Sequence, residues 1–377
     1  MNSPIPRILE KKLLGQLGSN KVILLFGTRR VGKTFLLESI ISKLPERPIV
    51  LNGEDFEVQE KLRKRSAAAY QAIIGNTRLL VIDEAQAIPE VGKVLKLMID
   101  TNRGLTILAT GSSSLDLSGS TGEPLTGRQL PHLLFPISAQ ELDQDPITAA
   151  QQLEDRLIYG SYPETLSFSR NEEKATYLQQ LVQSYLLKDI LAYSGIRHSD
   201  KIHSLLRLVA FQTGSEVSYQ ELGNQLGISK ITVETYLDLL SKVYIIFKLP
   251  AYSTNQRSEV TRAAKWYFYD NGVRNAVVND FRIPAMRNDM GALWESYLIS
   301  ERIKKLRYAG SLTQFYFWRD YHQQEIDLIE FENGQLRGFE IKFSPGRKYK
   351  VPGPFRNAYP GTTVELITRE NYLAFIN

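Results

Sequence analysis

Short apolar runs alternate with helical periods through the first 140 or so residues. Strands are predicted at 22–26, 48–52, 79–83 and 105–110, with a further short one near 132–136. Runs this brief and this continuously apolar suit strands covered on both faces. Helical patterns fill the gaps, the first from Phe35 to Leu44. The alternation predicts an α/β core, a parallel sheet with helices on both sides. Asp143 to Thr148, containing Pro146, breaks the pattern and marks a boundary. From there to about Tyr193 the period is helical, with Tyr177, Leu181, Tyr185 and Leu186 at i, i+4, i+8 and i+9.

Residues 200–252 change character. Ile202 to Phe211 is amphipathic. Ser218-Tyr219-Gln220-Glu221 reads as a capping box opening a short helix that closes at Gly227, and Ser229 caps another helix, Lys230 to Lys242. The apolar run Val243 to Leu249, ended by Pro250, enters a strand pair. Three helices followed by a β-wing read as a winged helix. Beyond it, Gly291 opens a helix running to about Leu306, and strands are predicted at 315–318, 324–329 and 338–343.

Chemistry enters at Gly27-Thr28-Arg29-Arg30-Val31-Gly32-Lys33-Thr34, with Phe35 next. The pattern G-x-x-x-x-G-K-[ST] lies between a predicted strand and a predicted helix, the context a phosphate-binding loop requires. Glycines let backbone N–H groups turn inward around a polyphosphate, and the helix N-terminus adds positive dipole. Lys33 reaches the outer phosphates, and the Thr34 hydroxyl is a ligand for Mg2+. Arg78 to Gln86 is an apolar strand ending in Asp83 and Glu84. Asp83 is expected to hold the Mg2+, and Glu84 to polarise the attacking water. A second acidic residue here favours hydrolysis over phosphoryl transfer to a metabolite. The strand at 105–110 runs into Thr110-Gly111-Ser112, so Thr110 and Ser112 are candidates to sense the γ-phosphate. Arg128, in Leu125-Thr126-Gly127-Arg128, is either an arginine finger, in cis or across an oligomer interface, or a surface Arg paired with a carboxylate.

The order of GTRRVGKT, LLVIDEAQ, ILATGSSS and LTGR resembles the prokaryotic AAA-type ATPases that carry a C-terminal domain of unknown function. The resemblance runs from about Ile5 to the C-terminus. It implies an AAA+ core, ATP as nucleotide, and Lys33, Thr34, Asp83 and Glu84 in the roles above. It also implies a helical subdomain after the core.

A second centre is read in the last third. On a strand, Glu340 and Lys342 share a face, and Asp327, thirteen positions earlier, meets Glu340 across a hairpin. Two converging carboxylates make a Mg2+ site, an adjacent Lys stabilises developing phosphorane charge, and Glu295 on the preceding helix completes the shell. The set Glu295, Asp327, Glu340, Lys342 resembles the PD-(D/E)XK nuclease superfamily. The competing reading is a nuclease-like fold kept for structure, with the same side chains as an ion-pair cluster. The expected layout is therefore a P-loop AAA+ core over 1–142, a helical subdomain over 143–199, a winged helix over 200–260 and a small α/β PD-(D/E)XK-like domain over 261–377.

Composition narrows the function classes. Of 377 residues 43% are hydrophobic and none is Cys, which excludes disulfides and thiolate metal sites and fits a cytoplasmic protein. Four dispersed His residues argue against zinc. No apolar run reaches the ~18 residues of a membrane helix. Net charge is +5, and the surplus sits late: residues 262–377 hold 17 Lys+Arg against 13 Asp+Glu, including Arg347, Lys348 and Lys350 around Tyr349. Such a balance permits DNA or RNA as partner. The third helix of the winged segment is less suited, since Lys230 is accompanied by Glu234 and Asp238. Two functions are weighed: ATP hydrolysis coupled to nucleic-acid processing, and a nucleotide-dependent switch that binds a protein partner and cuts nothing.

Overall fold

The computed structural model describes residues 5–112, 125–186, 199–253, 264–344 and 349–377. They divide into two units, residues 1–135 with 242–244, and residues 136–241 with 245–377.

The first unit is built on a five-stranded parallel sheet: β1 (Val22–Phe26), β2 (Ile49–Asn52), β3 (Leu79–Asp83), β4 (Thr106–Gly111) and β5 (Gln129–Leu133), in spatial order β2-β3-β4-β1-β5. Central strands β1 and β4 are buried at every position, which explains the unbroken apolar run of β1, while β4 also buries Thr106 and Thr110. Helix Val91–Thr101 buries Val91, Val94, Leu95 and Met98, spaced i, i+3, i+4 and i+7, against one face. Helix Lys33–Ser42 begins two residues before the predicted start, because Gly32 adopts the left-handed conformation that releases the loop into the helix. The fifth strand departs further from expectation. It spans Gln129–Leu133 rather than 132–136, with half-exposed residues and Pro131 inside it. An edge strand pairs on one side only, so it tolerates proline and polar residues. The apolar residues Leu134 and Phe135 that suggested a strand are buried just past its end.

The second unit starts with helices Pro146–Tyr159 and Asn171–Leu181, the latter continuing into a π-helical turn at Val182–Leu186. Then come helix Ser199–Phe211, β6 (Glu216–Val217), helices Tyr219–Leu226 and Lys230–Lys242, β7 (Ile246–Leu249) and β8 (Ala264–Phe268). The three strands form an antiparallel sheet in order β6-β8-β7. Ser218 Oγ accepts from Glu221 N as expected of an N-cap, but the Glu221 carboxylate accepts from Gln225 and does not return to Ser218; the reciprocal capping box is at Ser138 and Glu141. After helices Asn271–Val278 and Met290–Tyr308, a mixed sheet follows in order β12-β11-β10-β9. Its strands are β9 (Gln314–Arg319), β10 (Glu325–Glu332), β11 (Gln335–Ile341) and β12 (Thr363–Ile367). Strands β9 to β11 form an antiparallel meander, and β12 joins β11 in parallel. Among the described residues no helix is long and apolar enough to cross a membrane.

Candidate functional site

At the carboxyl end of β1 the chain turns through Gly27, Arg30 and Gly32, all at positive φ. A side chain at Gly27 would bring its Cβ within 2.6 Å of the Leu134 carbonyl oxygen, so only glycine fits there. Val31 and Thr28 are buried inside the loop. The buried Lys33 ammonium lies along the loop, donating to the carbonyls of Gly27 (2.9 Å) and Thr28 (3.2 Å). Arg7 fastens the N-terminal segment to the same loop, donating to Val31 O at 2.9 Å and Phe135 O at 2.5 Å.

The neighbouring strand tips complete the site. Asp83, last residue of β3, accepts from Thr34 Oγ1 at 2.9 Å on one carboxylate oxygen and from Thr110 Oγ1 at 2.5 Å on the other. Thr110 Oγ1 in turn accepts from the Glu84 backbone N–H at 2.9 Å. Thr110 thus positions Asp83 and the turn that carries Glu84. Glu84 itself is left-handed (φ 50°), and its carboxylate accepts from Gln86 Nε2. Ser112 is buried, and its hydroxyl makes no hydrogen bond among the described residues. Gly53, just past β2, donates to Asp83 O at 2.7 Å. A Cβ there would lie 2.3 Å from Glu84 O. A hydroxyl and a carboxylate oxygen 2.9 Å apart at the mouth of a glycine loop form a hard-oxygen set that fits Mg2+. Beside the loop a cleft of about 200 Å³ is lined by Ile5, Pro6, Phe35 and Leu36, with the Glu10–Lys43 ion pair on its rim.

Arg128 lies elsewhere. Its carbonyl accepts from Val22 N, at the start of β1, whereas the phosphate loop follows the end of that strand. Five residues of strand separate them by about 16 Å at the usual rise. The guanidinium is half-exposed and bonds Asp100 at 2.6 Å. The structure does not bring Arg128 to the phosphate loop; it pairs with Asp100 instead.

In the second unit, Asp327 on β10 and Glu340 on β11 meet at the end of the hairpin, one pair beyond Leu328 and Phe339. Asp327 accepts from Ile341 N at 2.7 Å, and Lys342 Nζ lies 2.6 Å from Glu340. Burial, then the charge of Glu295, pushes the Asp327 carboxyl up to about 7; burial, then Asp327, does the same to Glu340. Lys342 is held above its ordinary value because Glu340 and Asp327 outweigh the opposing effect of burial. Glu295, on helix Met290–Tyr308, faces this pair but is engaged by Lys265 (3.3 Å) and the Tyr267 hydroxyl, both from β8. Among the described residues no three His, Asp or Glu side chains are grouped as a metal site. Arg347 and Lys348 of the basic cluster lie outside the described residues.

Residues 19–143 match the family model described as AAA domain. This part of the chain is similar to AAA domains. Two domains of unknown function match the remainder, DUF8612 over residues 150–282 and DUF4143 over residues 290–371. An uncharacterized protein of Mycobacterium tuberculosis is 29% identical over 326 residues, covering 85% of this chain and 70% of its own length. One from Methanocaldococcus jannaschii is 26% identical, covering 88% of this chain and 76% of its own. The Thermotoga maritima RuvB Holliday junction branch migration motor is 19% identical over 65% of this chain and 90% of its own, with a TM-score of 0.32 that carries no argument.

Within the AAA-type domain, the structure gathers Gly27 to Thr34, Asp83, Glu84 and Thr110 at one end of the sheet. Sequence reasoning missed Arg7, Gly53 and Gln86, which shape that end, and Lys265, Tyr267 and Glu325 in the second unit. A signal for Lys265 was present: one cation inside the otherwise apolar strand Ala264–Phe268, where a buried charge needs a partner.

Proposed function

We propose that this protein is a Mg2+-dependent ATPase, with Lys33 and Glu84 as its principal catalytic groups. The observation that carries the reading is Asp83, clamped between Thr34 and Thr110 at the mouth of the glycine loop. Thr34 and Asp83 would hold magnesium through their oxygens, and the ion would supply positive charge to the nucleotide phosphates. Backbone N–H groups of residues 27–34 bind the polyphosphate, and Lys33 moves its ammonium from the loop carbonyls to the outer phosphates. Glu84 orients water on a turn fixed by Thr110 and Gly53, its carboxylate held by Gln86 until nucleotide enters. The cleft between the N-terminal segment and Phe35, with Ile5, Pro6, Phe35 and Leu36 among its walls, suits the base. Replacing Lys33 by Ala is expected to abolish phosphate release, and Glu84→Gln to lower turnover about a hundredfold or more while ATP still binds. Normal hydrolysis by the Lys33→Ala protein sinks this assignment.

We read the second unit as a helical subdomain (143–199), a winged helix (200–260 with its return strand β8) and a PD-(D/E)XK-like domain. Nucleic-acid processing is one coupling. The other, a nucleotide-dependent switch acting on a protein partner, is favoured by the surface of helix Lys230–Lys242. Its exposed side chains are Lys230, Ile231, Glu234, Thr235, Asp238 and Lys242, two cations against two carboxylates, with Ile231 75% exposed. That surface carries no net positive charge to grip phosphate and offers an apolar contact.

A further inference from the structure

The carboxylate centre of the second unit holds its own cation. Lys265 is 1% exposed, yet it comes from β8, in the three-stranded sheet, and not from the helix or hairpin that carry the acidic residues. Its ammonium lies 3.3 Å from Glu295 and is ion-paired with Glu325, while Phe317 lies beneath it at 5.3 Å. Tyr267, two residues along and on the same face of the strand, donates to the Glu295 oxygen that Lys265 also binds. Arg319 reaches the other oxygen of Glu325 at 3.3 Å. Four carboxylates (Glu295, Glu325, Asp327, Glu340) thus face Lys265, Arg319 and Lys342, and Arg319 also reaches Glu216 at 3.3 Å.

We propose that the Lys265 ammonium is a built-in replacement for a divalent cation: it engages Glu295 and Glu325, so that no metal is bound there in this arrangement. A buried ammonium and a divalent ion compete for the same negative field, and a preformed ion pair with two carboxylates leaves the incoming ion one ligand and most of the charge short. The inference rests on reading Asp327, Glu340 and Lys342 as one centre with Glu295. It does not depend on ATP hydrolysis in the first unit.

The test is Mn2+ binding to the full chain without nucleotide, followed by the paramagnetic resonance signal of free Mn2+. All proteins carry Asp83→Asn, which removes the metal ligand of the phosphate loop. With Lys265 intact, no Mn2+ binding that depends on Asp327 is expected below about millimolar metal. K265M, nearly isosteric but uncharged, is expected to bind Mn2+ at least tenfold more tightly, and adding D327N is expected to erase the gain. K265R keeps the charge and gains nothing. K265A, which leaves room for a hydrated ion, serves if K265M does not fold. Asp327-dependent binding as tight with Lys265 present as without it overturns the proposal, as does a folded K265M or K265A protein with no gain. Loss of ATP turnover in the Lys33→Ala protein bears only on the first unit, so the two readings fail separately.

Discussion

Gly53 and Asp83 meet through a single hydrogen bond of 2.7 Å, and that contact sets how closely β2 approaches the turn that carries Glu84. A methyl group at Gly53 would stand 2.3 Å from a backbone oxygen of Glu84, a group with no freedom to swing aside. Gly53→Ala is therefore expected to displace the Glu84 turn and cost about 1–3 kcal/mol of stability. A shift near 1 Å at a catalytic residue lowers turnover by about a hundredfold, so phosphate release should fall far more than ATP affinity, measured by steady-state kinetics beside nucleotide titration. Unchanged turnover in a folded Gly53→Ala protein contradicts the role given to this contact. What the sequence disclosed at this scale follows the same logic. Gly27 to Thr34 and Asp83-Glu84 were legible because their chemistry demands a local spacing. Gly53 and Arg7 act through partners 30 and 24 positions away, and no local pattern encodes such pairs. Thr110 and Ser112 were equal candidates by sequence; the structure gives Thr110 the bonds to Asp83 and Glu84, and gives Ser112 none among the described residues.

Secondary-structure elements were legible where they are central and less so at edges. Strands β1 and β3 match the expected bounds, because burial on both faces forces a continuous apolar run. Strand β5 was displaced by three residues, because an edge strand lacks that signature. The hairpin β10–β11 was found through its chemistry, with Asp327 and Glu340 paired across it. The join between helices Pro146–Tyr159 and Asn271–Val278 was not foreseen. There Asp270 caps the second helix through Val273 N and also accepts from Ser161 N at 2.7 Å, while Gly160 and Gly272 let the two backbones touch. A Cβ on Gly272 would lie 2.2 Å from Tyr159 O. Gly272→Ala should separate the two helix ends and weaken the Asp270 bonds, lowering stability by about 1–3 kcal/mol in urea denaturation. A midpoint equal to that of the unsubstituted protein would refute the close-approach argument.

For the molecule as a whole, the question is whether the surplus of positive charge is available to a polyanion. The formal surplus in residues 262–377 is four, from 17 basic and 13 acidic side chains. Five of those 17 basic side chains are committed within the fold: Arg274 to Asp289, Arg287 to Asp280 and Asp289, Arg302 to Glu330, Lys304 to Glu301, and Lys265 to Glu295 and Glu325. A buried pair cannot release counterions from DNA, because its cation never faces a phosphate. Affinity for duplex DNA scales with the number of phosphates neutralised, each contributing about 0.9 to the slope of log affinity against log salt. With helix Lys230–Lys242 presenting two carboxylates beside Lys230 and Lys242, that surface has no net positive charge. The expected slope is therefore shallow, about −3 or weaker, with affinity in the nonspecific range of roughly 10⁻⁴–10⁻⁶ M at physiological salt. Turnover of ATP should change less than about twofold when duplex DNA is added, since binding this weak cannot bias a nucleotide cycle strongly. Fluorescence anisotropy from 50 to 200 mM salt, run beside phosphate release, measures both quantities. A slope of about −6 or steeper, with stimulated hydrolysis, would mean that about seven or more phosphates are gripped at once, and would return nucleic-acid processing to first place over the protein-partner switch.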